Sequence, residues 1–141
     1  MNFKLLERFQ DFGLFIIRVG IGTVYLFHGF PKIFGGPEQW EGVGQATQHL
    51  GISFLPVFWG FLGSSAEFFG GLLLIFGLFF RPATIALFLT MVVATSMHIG
   101  SDDGFTTISH ALKMAILFFG LIFIGPGKYS LDRKISIHVR R

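Results

Sequence analysis

Four apolar stretches, each of about the length that crosses a bilayer as a helix, limit what this chain can fold into more than any other feature. A spanning helix takes about 20 mainly apolar residues, and the stretches near 12–34, 56–80, 82–99 and 106–124 fit that demand, the third being the shortest. Hydrocarbon offers no partner to a backbone N–H or C=O, so segments of this kind must be helical. The expected fold is all-α: an integral membrane four-helix bundle, one domain over 1–141, with 125–141 as a tail. Pro56 and Pro82 mark helix starts, because proline in a first turn has no N–H to lose. Arg18 interrupts the first stretch and no small-x-small cleavage site follows, so that stretch is expected to stay as a spanning helix rather than be removed as a leader.

Composition agrees. Charged residues make up only 13% of the chain, about half the share of an ordinary soluble domain. Hydrophobic residues make up 52%, with 20 Phe and 19 Gly. There is no cysteine, which excludes disulfides, thiolate metal sites, iron–sulfur clusters and thiol relays. The formal charge of +3 comes from scattered Lys and Arg, and no basic run interleaved with aromatics suggests nucleic acid. The charges read as topology instead. Lys4, Arg8, Arg81, Lys128, Arg133, Lys134, Arg140 and Arg141 flank one end of the spans, and Glu38, Glu41, Asp102 and Asp103 flank the other. The positive-inside rule then puts both termini in the cytoplasm.

The connection over 35–55 is long enough for structure of its own. Trp40, Val43, Thr47 and Leu50 recur at helical spacing between glycine and proline breakers, predicting a short amphipathic helix at the membrane surface or dipping into it. Trp40 and Trp59 are expected at headgroup depth.

Ionisable residues inside a bilayer are costly and ask for a reason. Arg18, Gly22, Tyr25, Gly29 and Lys32 form one stripe of the first helix, with His28 beside it. Glu67 sits among Gly60, Gly63, Ser64, Gly70 and Gly71 in the second, a face that lets another backbone come close. His98 closes the third, beyond Met91, Ala94 and Thr95. Thr106, His110, Lys113, Leu117 and Gly120 line up in the fourth. If these four faces meet, they enclose a polar cavity opening on the side opposite the termini. Its floor would be Glu67 paired with Arg18, Lys113 being the other candidate partner for Glu67. The bland alternative is a buried Arg18–Glu67 pair that only fixes helix register, with Lys32 snorkelling to the interface.

Three chemistries suit such a cavity. A haem would need two of His28, His98 and His110 on facing helices at matched depth. A metal would find no thiolate and no carboxylate at the depth of the histidines, so no metal ligand is assigned. A quinone fits better, as a flat apolar ring between phenylalanines with carbonyl oxygens accepting from Lys, His or Tyr.

The order and spacing of several motifs resemble the DoxX family of small four-helix membrane proteins. They are Arg18, Gly20 and Gly22 continuing to His28, Gly29, Pro31 and Lys32; Glu67, Gly70 and Gly71 continuing through Gly77 to Arg81 and Pro82; and the closing segment from Gly125 to Asp132. The resemblance runs over about 13–132. It implies a four-helix bundle and, from some relatives, a subunit of a quinone-reducing thiosulfate oxidoreductase, with Arg18, His28, Lys32, Glu67 and Arg81 carrying family-level function. Without cysteine or a fused soluble redox domain, a complete thiosulfate dehydrogenase in this chain alone is not expected.

The reading is a quinone-binding subunit or accessory of a membrane oxidoreductase, working with another redox protein and open to homo-oligomerisation. Glu67 and Arg18 are the candidate catalytic residues, and Tyr25, His28, Lys32, His98, His110 and Lys113 the candidate ligand-binding ones. The alternative is a non-enzymatic scaffold or transporter-like accessory that holds a lipid or small solute.

Overall fold

The computed structural model describes residues 7–139, apart from the side chains of Ile137 and Val139; Lys4, Arg140 and Arg141, counted above toward topology, lie outside the described residues. Helix α1 runs Gln10–Phe34, α2 Gly36–Gly44, α3 Pro56–Phe76, α4 Phe80–Gly100, α5 Phe105–Ile124 and α6 Leu131–Val139, with a 3-10 turn at Gln45–Leu50 after α2. Four of them, α1, α3, α4 and α5, are long and apolar enough to cross a membrane. The protein is an all-α membrane bundle.

Its frame is two helix pairs. α1 packs along α3, α4 along α5, and α3 joins the pairs through α4. Glycines set the first contact. A Cβ on Gly22 would stand 2.7 Å from the Gly71 carbonyl oxygen, and a Cβ on Gly71 would stand 2.7 Å from that of Gly22. Lipid tails are as apolar as leucine, so close backbone approach, more than apolar burial, holds spanning helices together. Between the pairs lies a core of Tyr25, Leu74, Phe80, Leu87, Met91 and Phe118. The outside is covered by side chains such as Phe27, Phe105 and Phe123, 74%, 81% and 69% exposed. Hydroxyls within the spans donate back to their own helix, Thr23 to Val19, Thr84 to Phe80 and Thr95 to Met91, so they cost little where water is absent.

The junction between the second and third spans differs from the sequence expectation. α3 stops at Phe76 because Gly77 turns into the left-handed region, φ 62°, and the Leu78 N–H returns to the Leu73 carbonyl. α4 begins ahead of Pro82 because the Asp132 carboxylate accepts from the N–H groups of Phe79 and Phe80, at 2.9 Å each. With that cap α4 has 21 residues against 20 in α5, so the third span is not the shortest.

The expected amphipathic helix is present as α2 and the 3-10 turn. It packs on α3 so closely that a Cβ on Gly44 would fall on the Pro56 carbonyl, and one on Gly60 on the Trp40 carbonyl. The Trp40 indole N–H points at the carbonyls of Lys32 and Ile33, 3.0 and 3.2 Å away. Those belong to the last turn of α1, whose carbonyls have no partner within the helix.

Candidate functional site: a cavity beside the Lys32–Glu67 pair

The glycine contacts fix the register that decides which charges meet. Gly22 lies level with Gly71 and Ile75, and Gly29 with Glu67 and Phe68. Side chains on a helix lean toward its N-terminus, so Lys32 reaches back toward the level of Gly29. Its Nζ meets both Glu67 oxygens, 2.9 Å from Oε1 and 2.6 Å from Oε2. The Glu67 side chain is 7% exposed and that of Lys32 31%, so the carboxylate is buried and its partner borders the outside.

Arg18 is not the partner. One turn before Gly22, it lies level with the end of α3, where its Nη1 fills the space a Cβ on Gly77 would take. Gly77 is ten residues beyond Glu67, a rise of about 15 Å along a helix. There Arg18, 1% exposed, donates from Nη1 to the Pro126 carbonyl and from Nη2 to that of Tyr129, each at 2.8 Å. The closing segment is therefore stitched into the bundle and is no free tail. Asp11 adds to this by accepting from the Lys128 backbone N–H and pairing with its ammonium at 3.0 Å.

Beside the Lys32–Glu67 pair, a cavity of about 480 Å³ opens between α2 with its 3-10 turn, α3 and α4. Val43, Leu62, Gly63, Ala66, Leu89 and Val93 make its walls mainly apolar. His98, half-buried, borders it and pairs through Nδ1 with Asp103 Oδ2 at 2.6 Å. The sequence reading missed one contributor, Trp59. It lines the cavity, and its buried indole N–H has no acceptor. The signal was available: Trp59, Gly63 and Ala66 share one face of the helix that carries Glu67.

The other expected residues are elsewhere. Tyr25 is buried in the core, its hydroxyl 2.9 Å from the Met91 sulfur and its ring edge-on to Phe118. His28, His110 and Lys113 are exposed, so Lys113 is not the alternative partner of Glu67. Of the stripe from Thr106 to Gly120, Leu117 is half-buried against the core, while Thr106, His110 and Lys113 are exposed. α5 instead buries Ala111, Ala115, Phe118 and Leu121, and a Cβ on Gly120 would meet open space. Against α4, small and apolar shapes pack best, and His110 and Lys113 turn outward. Among the described residues no three His, Asp or Glu gather as a metal-binding group.

The DoxX family profile matches residues 13–99, which hold α1 to α4 and with them Lys32, Trp59, Glu67 and His98. The chain belongs to the DoxX family. Among its relatives, the inner membrane protein YqjF of Escherichia coli is 29% identical, over 93% of this chain and 98% of its own length. An uncharacterized membrane protein of Mycobacterium tuberculosis is 33% identical, over 85% of this chain and 79% of its own. An uncharacterized protein of Haemophilus influenzae is 30% identical, over 92% and 95%. No solved structure matches the chain significantly. For this DoxX protein, the cavity beside Lys32 and Glu67 is where apolar walls and unspent polar groups coincide.

Proposed function

We propose that this DoxX protein is an inner-membrane subunit that binds a quinone in the cavity beside Lys32 and Glu67, with a separate redox partner supplying electrons. The observation that carries the proposal is the Trp59 indole N–H, buried and without an acceptor in a mainly apolar wall. A buried donor left unpaired costs about 1–3 kcal/mol, and a ligand carbonyl oxygen would remove that cost. A cavity of about 480 Å³ is within the range of small-molecule sites, and its apolar walls suit a ring and the start of a prenyl chain.

A bound quinone supplies two-electron, two-proton redox chemistry. The chain's own residues would bind and move protons. Trp59 would orient one carbonyl. Glu67, held by Lys32, and His98, oriented through Nδ1 by Asp103, would hold protons at the polar margin. The E. coli relative is named as an inner membrane protein. Arg8, Arg81, Lys128, Arg133 and Lys134 against Glu38, Glu41, Asp102 and Asp103 favour cytoplasmic termini. On that orientation the cavity lies in the outer half of the bilayer.

The internal neutralisation of Lys32 by Glu67 also favours a second reading, a non-enzymatic accessory whose cavity takes a lipid chain. One experiment separates them: small molecules extracted from protein purified in native lipid particles are identified by mass spectrometry, for wild type, Trp59→Phe and Glu67→Gln. The quinone reading expects near-equimolar quinone in wild type, less retained in Trp59→Phe, whose affinity falls about fivefold by the loss of one hydrogen bond, and less retained in Glu67→Gln. Bulk lipid alone in all three would overturn it in favour of the accessory reading.

A further inference from the structure

The opposite end of the bundle has a groove of its own. Of about 1010 Å³, it runs between the start of α1, the α3–α4 link, the end of α5 and α6. Its rim is charged and its walls are apolar. The two carboxylates that line it are already engaged: Asp11 with Lys128, and Asp132 with the N–H groups of Phe79 and Phe80. The two arginines that line it are not. Among the described residues neither Arg81 nor Arg133 has a carboxylate within salt-bridge distance. Arg81 is nevertheless held in place: its Nε donates to the Ile122 carbonyl at 3.1 Å, and its Nη2 lies 3.3 Å from where a Cβ on Gly125 would be. That leaves the two terminal nitrogens of a positioned guanidinium for a ligand, the fork that suits a phosphate. Close by are Phe79, Ile124 and Ile135, 63%, 67% and 52% exposed.

We infer that this groove is a site for an anionic phospholipid, its phosphate on Arg81 and Arg133 and its acyl chain along Phe79 and Ile124. The placement supports this occupant. The groove sits where two spanning helices end and two begin, so it meets the headgroup layer, and α6 leaves the bundle there with Leu131 and Ile135 exposed between basic residues. A soluble anion would satisfy the arginines but leave the apolar wall bare. A zwitterionic lipid would cover the wall while bringing its own cation to the arginines. Only a lipid with net negative charge serves both. The inference does not depend on the quinone reading, since the two sites lie at opposite ends of the bundle.

The test is native mass spectrometry of the intact chain released from detergent, titrated with phosphatidylglycerol, phosphatidylcholine or inorganic phosphate. The variants are Arg81→Gln, Arg133→Gln and Lys134→Gln, the last basic but outside the groove. The site predicts saturable phosphatidylglycerol adducts, weaker phosphatidylcholine and no phosphate binding. Each arginine substitution should weaken phosphatidylglycerol about fivefold, the worth of one basic residue at an anionic surface, with Lys134→Gln close to wild type. Equal retention of the two lipids would overturn it. So would an equal loss in Lys134→Gln, which would mean diffuse charge attraction, or adducts with phosphate as strong as with lipid. Circular dichroism of each variant checks that the helices persist. If Arg81→Gln unfolds, Arg133→Gln, which removes no hydrogen bond found in the structure, decides alone.

Discussion

Lys32 leans back along α1 to hold both carboxylate oxygens of Glu67, at 2.9 and 2.6 Å, while Arg18, on the same stripe of the same helix, is engaged with the closing segment of the chain. The two cations thus divide two tasks. One neutralises the buried carboxylate beside the cavity, and the other locks the end of the bundle where the termini lie.

Removing one member of the pair strands the other. Lys32→Met should destabilise the protein by about 3 kcal/mol, the low end for breaking a buried ion pair, because the Lys32 side chain keeps 31% exposure. The double variant Lys32→Met/Glu67→Leu should recover most of that loss, since no charge is left without a partner. Thermal unfolding in detergent, run as a double-mutant cycle, measures both. A Lys32→Met protein as stable as wild type would contradict the pairing.

Arg18→Ala should free the closing segment by removing two charge-assisted hydrogen bonds, each worth about 1.5–3 kcal/mol. The readout is protease cutting between Pro126 and Asp132, faster in the variant than in wild type. Arg18→Lys should rescue only part of the protection, because one ammonium cannot reproduce two donors set in a planar fork. Cutting at the wild-type rate in Arg18→Ala would show that the latch holds nothing.

Two glycines should respond in opposite directions to alanine. Gly60→Ala pushes a methyl onto the Trp40 carbonyl and must displace α2, so it should lower the melting temperature and shift the tryptophan emission. Gly120→Ala meets open space and should stabilise the helix by up to about 1 kcal/mol. Equal effects at the two positions would deny the close seating of α2 on α3.

Much of this was legible in the sequence, and the failures share one cause. Hydropathy and the proline positions fixed four spans, and the spacing of Trp40, Val43 and Thr47 announced α2 and the 3-10 turn after it. The glycines around Glu67 correctly marked a buried face. Which cation would reach Glu67 was hidden, because antiparallel register depends on which glycine meets which, Gly22 with Gly71 and Gly29 with Phe68, and composition along one helix says nothing of that. The α5 stripe misled for a related reason. In lipid the packed face and the outer face are both apolar, so His110 and Lys113 could not reveal which way the helix turned. The grip of Arg18 on Pro126 and Tyr129 spans 108 and 111 positions of chain, and no local pattern carries it.

Filling the cavity between α2, α3 and α4 shows whether a quinone binds there. Ala66 lines the cavity but makes no polar contact in the pair, so Ala66→Phe should occupy the space and leave Lys32 and Glu67 intact. A short-chain benzoquinone titrated into wild type and Ala66→Phe in lipid nanodiscs, followed by tryptophan quenching, should give saturable, equimolar binding in wild type and only linear partitioning in the variant. Linear partitioning of the same slope in both proteins would contradict the account.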